Sequence, residues 1–294
     1  MNDFHLKLNV PHRLGIISTM ENHGDKFKYY HEPELPKEVI RANLSSESPF
    51  PSPINHFEIE KPNGKLEINF YSPETPFPEE ISCQENESLW ILIASGNGKI
   101  TKLSQDFTID NVPAVFFLQA AETIKTQGQF SAWIIRLKGT TPTLNLPTEN
   151  TVISEKILTA DELVGKIHPS VSEKYPDGKG EIIRWVLGQW NSYSPLNVAY
   201  EGGGLGSVGD KMHKEPQVVE IHLVNQGRCV LTCIGEDNNF FKFPNRKGDV
   251  VVVEPDTFCQ MSRYSGDYKG FTIKWAVEPG RLIDREAKIY YPSS

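Results

Sequence analysis

Residues Asp210–Leu231 read DKMHKEPQVVEIHLVNQGRCVL, and their polar side chains fall at two-residue spacing: His213 with Glu215, then Glu220 with His222. In an extended strand alternate side chains share a face, so a strand rolled into a barrel can aim both pairs into its interior. Gln260 can approach from a further strand. Imidazole, carboxylates and an amide oxygen form a hard, mostly oxygen donor set, which suits manganese, iron(II) or zinc better than copper(I) or a thiolate-selected ion. Carboxylates inside a barrel must be paired or protonated, and a divalent cation meets that demand. The alternative on the same residues is a solvated barrel mouth at His213 and Glu215, with Glu220 and Gln260 hydrogen-bonded to each other or to water.

Working outward, the flanking sequence breaks into short apolar runs divided by turn residues. VVEIHLV, CVLTCI, FFKF, DVVVVE and GFTIKWAV lie on the C-terminal side, and HFEIE, KLEINFY, SLWILIA, GKITKL, AVFFLQA and SAWIIRL lie nearer the start. Runs of this kind and spacing predict a β-sandwich or barrel. The two sets repeat each other. PAVFFLQAAETIKTQ, 113–127, lies without a gap against GDVVVVEPDTFCQMS, 248–262, and each is preceded by strand, glycine turn and strand. A duplicated β domain follows. The expected division is an extended N-terminal arm over 1–55, rich in Pro, Ser and Glu; a first barrel over 56–140; a linker over 141–196; and a second barrel with a C-terminal tail over 197–294. The linker is expected to be partly helical. Thr159 and Glu162 fit a capping box in TADELVGKI, and GEIIRWVLGQW has helix-compatible spacing, with a strand possible.

The second unit resembles the cupin superfamily. A cupin's first motif runs Gly, His-x-His, three or four residues, Glu, six residues, Gly. This chain has Gly206, His213-Lys-Glu215, four residues, Glu220, six residues and Gly227. The spacing is kept and the second histidine is a glutamate. The second motif begins at Gly248, continues through an apolar strand to Pro255, one residue longer than usual, and places Gln260 where the family has histidine. With the internal repeat, the resemblance implies an all-β bicupin of two jelly-roll barrels. It also implies a metal held by His213, Glu215, Glu220 and Gln260, with Glu220 and His222 as catalytic residues and His222 an alternative ligand.

In the first unit Lys125 matches Gln260, and no HxH or HxE occurs near Leu89–Gly98. That barrel is expected to be metal-free. Cys259 adjoins Gln260, so alternation gives it the opposite face; without a paired base it is a poor nucleophile. EGGGLGSVGD, 201–210, lacks the Gly-Lys-Ser/Thr ending of a phosphate loop and precedes a strand, so it reads as a rim.

The chain of 294 residues carries a formal charge of -8 with no basic cluster, which argues against nucleic acid or an anionic membrane as partner. It has no apolar run long enough to span a bilayer, and MNDFHLKLNVPHRLG lacks a signal-peptide core, so a cytoplasmic protein is expected. Four scattered cysteines read as free thiols. The expected function is a metal-dependent enzyme acting on a small polar metabolite by Lewis-acid catalysis, in hydrolysis, isomerisation or elimination. An iron(II)-dependent dioxygenase and a non-catalytic metabolite- or sugar-binding barrel are the alternatives. Exposed sheet edges and the arm predict a homodimer.

Overall fold

A computed structural model describes residues 39–45, 56–62, 64–110, 113–118, 120–139, 184–187, 196–202, 212–216, 218–235, 240–262, 265–276 and 288–289. Among these residues the regular structure is all strand. In chain order the strands are β1 (Val39–Asn43), β2 (His56–Lys61), β3 (Gly64–Tyr71), β4 (Glu80–Ser82), β5 (Glu87–Lys102), β6 (Gln105–Asp110), β7 (Ala114–Leu118) and β8 (Thr123–Lys138). They continue as β9 (Arg184–Leu187), β10 (Leu196–Gly202), β11 (His213–Lys214), β12 (Val218–Gln226), β13 (Arg228–Ile234), β14 (Phe240–Arg246), β15 (Asp249–Val253), β16 (Phe258–Ser262), β17 (Lys269–Ala276) and β18 (Lys288–Ile289).

Strands β2 to β8 form one antiparallel sheet, in which the long β5 and β8 pair along most of their length. The C-terminal unit has two sheets, β1-β15-β12-β17-β10-β9 and β14-β13-β16-β11-β18. Its pairings repeat those of the first unit. β12 lies between β15 and β17 as β5 lies between β7 and β8, β10 pairs with β17 as β3 with β8, and β11 pairs with β16 as β4 with the start of β8. Even the backbone strain is duplicated: Ala121 and Asp256, matched in the gapless alignment, have φ of 66° and 64°.

Two-residue periodicity sorts the side chains into three cores. Leu89, Ile91, Ile93, Ile124 and Ile134 fill the first barrel. Leu231, Cys233, Val251, Val253, Cys259 and Met261 fill the second. Trp90, Leu92, Trp133, Val219, Ile221, Leu223, Ile273 and Trp275 fill a third core shared by both units. β12 and β17 are therefore buried on both faces, which is why VVEIHLV and GFTIKWA read as near-continuous apolar runs. The polar residues within those two runs, Glu220, His222, Thr272 and Lys274, lie on the second barrel's side, opposite the residues of the shared core.

Among the described residues Asn225 carries polar contacts across the shared core, and its Nδ2 donates to Ser131 Oγ at 3.4 Å. Trp133 Nε1 donates to Asn225 Oδ1 at 2.8 Å, and both residues are buried. Asn225→Leu strands that indole N–H, so urea unfolding should show a loss of about 1–3 kcal/mol. An unchanged midpoint would mean that the indole finds another acceptor.

Parts of the arm and linker are described, and both are strand. Residues 39–43 do not merely lie over a domain: β1 pairs antiparallel with β15 in this chain's own C-terminal unit, Val39 opposite Val253 through Asn43 opposite Asp249. Arg184–Leu187, within the helix-compatible stretch, is strand β9 on the edge of the same sheet, where β10 offers its backbone as a ladder. The remaining arm and linker, including the TADELVGKI capping box, lie outside the described residues.

Candidate metal centre

On β12, Val219, Ile221 and Leu223 face the shared core, so Glu220 and His222 face the interior of the second barrel. β11 and β16 approach from the opposite sheet, with His213 directly across from Cys259. The His213 and His222 Nε2 atoms each lie 3.9 Å from a Glu220 carboxyl oxygen, on Oε2 and Oε1 respectively. The Cys259 thiol donates to Glu220 Oε2 at 3.3 Å. Ligand atoms of Glu220, His222 and Cys259 all lie within 4.8 Å of one another. All three residues are buried, while His213 keeps 15% of its side chain exposed and marks the side nearest solvent.

Next to this cluster β17 adds Thr272 and Lys274. Lys274 Nζ forms a buried ion pair with Glu215. Thr272 Oγ1 stands 3.1 Å from His222 Nδ1 and donates to Glu201 on β10, whose other carboxyl oxygen accepts from Tyr268 at 3.5 Å. Burial pushes the Glu220 carboxyl up, but His222, Lys274, His213 and the Cys259 thiol outweigh it and hold it at about 2. Burial pushes His222 down, towards the neutral imidazole that binds metals. Burial and the Glu220 charge push the Cys259 thiol well up.

The expected residues are brought together only in part. His213, Glu220 and His222 converge. Glu215 is engaged by Lys274 and stands beside the cluster. Gln260 is opposite Thr232 in the ladder, on the reverse face of β16 from Cys259 and Met261, which point inward. Cys259 thus occupies the place expected of Gln260. The register of β16 against β11 and β13 sets this phase, and a slip of one residue would exchange every inward and outward side chain. The internal repeat held the signal for this, because Cys259 aligns with the apolar Ile124 and Gln260 with Lys125. Thr272, Lys274 and Glu201 had a fainter signal, as polar residues alternating with apolar ones on strands buried on both faces.

The ladder registers also identify what the first barrel has at each position. Ile81, Leu89, Ile91 and Ile124 stand where His213, Glu220, His222 and Cys259 stand in the second. All four are buried in its apolar core. Within the described residues the donor set belongs to one barrel alone. Gly206 and the rest of the glycine-rich rim from 203 lie outside the described residues.

The residues fit a divalent metal. His222 Nε2 is buried without a hydrogen-bond partner, inside a cluster of carboxylate, thiol and imidazole. A coordinating thiol ionises, so Glu220 and Cys259 would together balance two positive charges. With sulfur in place of an amide oxygen, the donor set shifts from manganese towards zinc or iron(II).

No protein-family model matches the sequence, and no curated protein matches it. Solved structures do match by fold. An IolB-like protein from Salmonella typhimurium LT2 is 13% identical with a TM-score of 0.55, over 85% of this chain and 96% of its own. Procruciferin, an 11S globulin from Brassica napus, is 8% identical with a TM-score of 0.52, over 84% of this chain and 87% of its own. A cupin 2 conserved barrel domain protein from Leptotrichia buccalis is 15% identical with a TM-score of 0.43, over 82% of this chain and 90% of its own. The fold is the cupin fold, present as two barrels in one chain. No helix among the described residues is long and apolar enough to cross a membrane.

Proposed function

We propose that the second barrel binds one divalent metal ion through His213, Glu220, His222 and Cys259, and that the chain is a metal-dependent enzyme acting on a small polar metabolite. The observation that carries this reading is the contrast between the barrels: four convergent donors replace four aliphatic residues at matching positions. Burying such a cluster costs stability, which a purely structural barrel has no reason to bear. A bound ion would supply Lewis-acid polarisation of a carbonyl, carboxylate or imine. His213, on the solvent side, is placed to meet the entering substrate, and the Lys274–Glu215 pair to orient its polar groups.

A second reading is an iron(II)-dependent dioxygenase. It is favoured by the composition of the cluster, since two histidines and one carboxylate are the set that holds non-haem iron(II) with positions left open. Elemental analysis after expression in supplemented medium, followed by oxygen uptake with candidate substrates, separates the two. Zinc without oxygen consumption supports Lewis-acid chemistry; iron with substrate-dependent uptake supports the oxygenase. No transition metal bound, and none taken up on titration, would overturn both.

Glu220→Gln tests the carboxylate directly. It keeps the volume, removes the charge and leaves an amide oxygen to accept from Cys259. Metal affinity is expected to fall at least about tenfold with the fold intact, because a neutral oxygen coordinates a divalent ion less strongly. Unchanged stoichiometry and an unchanged metal-dependent melting shift would remove Glu220 from the ligand set.

A further inference from the structure

A threonine hydroxyl has one hydrogen to give and lone pairs to accept with. In this structure Thr272 gives its hydrogen to Glu201, and the other Glu201 oxygen accepts from Tyr268. As a carboxylate, Glu201 is an acceptor at both oxygens. Towards His222 Nδ1, 3.1 Å away, Thr272 has only a lone pair left, so Nδ1 must carry the proton. In the neutral ring the bare nitrogen is Nε2, the atom that is buried, lacks a hydrogen-bond partner and faces the Glu220 carboxyl at 3.9 Å. A lone pair held towards a carboxylate is repulsive unless a cation lies between them.

We infer that Glu201 and Thr272 are positioning residues, a carboxylate–hydroxyl relay that locks His222 in the tautomer presenting the Nε2 lone pair to the Glu220–Cys259 cluster. The relay is confined to the second barrel. The ladder registers put Tyr71 at the position of Glu201 and Ile134 at that of Thr272 in the first, beside the aliphatic residues that replace the cluster. Relay and donors are present together in one barrel and missing together at the matching positions of the other. The use of Nε2 as a metal ligand rests on the metal reading above; the tautomer itself does not.

The experiment has two arms on the full-length chain. In metal-stripped protein at neutral pH, long-range proton–nitrogen NMR of the His222 ring should show the Nδ1–H tautomer in the wild type. Thr272→Val keeps the shape but removes the acceptor, and should shift the ring to a mixture or to Nε2–H. Thr272→Ser, which retains the hydroxyl, should restore the wild-type tautomer. In the second arm, zinc competition against a chelator should weaken by about 10- to 100-fold in Thr272→Val, the usual effect of losing such a supporting partner, and recover in Thr272→Ser. An Nε2–H tautomer in the wild type overturns the inference without any variant. So does a Thr272→Val protein with the wild-type tautomer. A wild type that shows the expected tautomer, lost in Thr272→Val, but takes up no zinc upholds the relay and overturns the metal reading, so the two failures are distinct.

Discussion

Asp249→Ala should cost about 3 kcal/mol of stability, the lower end of the loss expected when one partner of a buried ion pair is removed. Asp249 is fully buried. Its carboxylate accepts from Arg41 Nη2 at 2.7 Å, Asn43 Nδ2 at 2.6 Å and the Arg246 backbone N–H at 2.8 Å. Two of these donors belong to β1, so one side chain fastens the arm strand to the C-terminal sheet. Gly248 completes the contact. Its φ is 81°, its carbonyl accepts from Leu44 N–H at 2.8 Å, and a Cβ there would meet Ser45 at 2.5 Å. Arg41 keeps 24% exposure and can turn to water once Asp249 is gone, which sets the loss at the lower end. Urea unfolding measures it, and limited proteolysis should cut the variant first near residues 39–45. A loss under about 1 kcal/mol, with the arm still protected, would show that backbone pairing alone holds β1.

The second prediction reverses the usual sign of a core substitution. Glu220→Leu combined with His222→Ile gives the second barrel the residues of the first at those positions. In chelated protein the double variant is expected to be more stable than the wild type by about 1–4 kcal/mol, as when buried polar clusters are replaced by packed aliphatic ones. Adding zinc or iron(II) should raise the wild-type melting temperature and leave the variant's unchanged. The two results together mark a site kept at the expense of stability. A variant less stable than the wild type would mean that the polar network itself supports the fold, and a retained metal shift would place the ion elsewhere.

The sequence by itself determined the architecture. Apolar runs with turn residues between them, and a gapless match of 113–127 with 248–262, were enough for two barrels, and the polar pairs at 213–222 singled out the second as the one with clustered donor side chains. Both signals are local: alternation follows from strand geometry, and a duplicated chain keeps its strand order. The same local rule put Glu220 and His222 on one face, and the ladder pairing bears that face out. What the sequence left open was phase and company. Whether Cys259 or Gln260 faces inward is set by the pairing of β16 with β11 and β13, which the local sequence does not contain. Glu215 has the right spacing for a ligand, yet its partner Lys274 is 59 positions away, and only the β12–β17 ladder brings the lysine to it. The arm strand likewise reaches Asp249 across 208 positions. Tertiary structure decided these points because side chains far apart in the chain compete for the same buried volume, and only the closed barrel determines which of them meet.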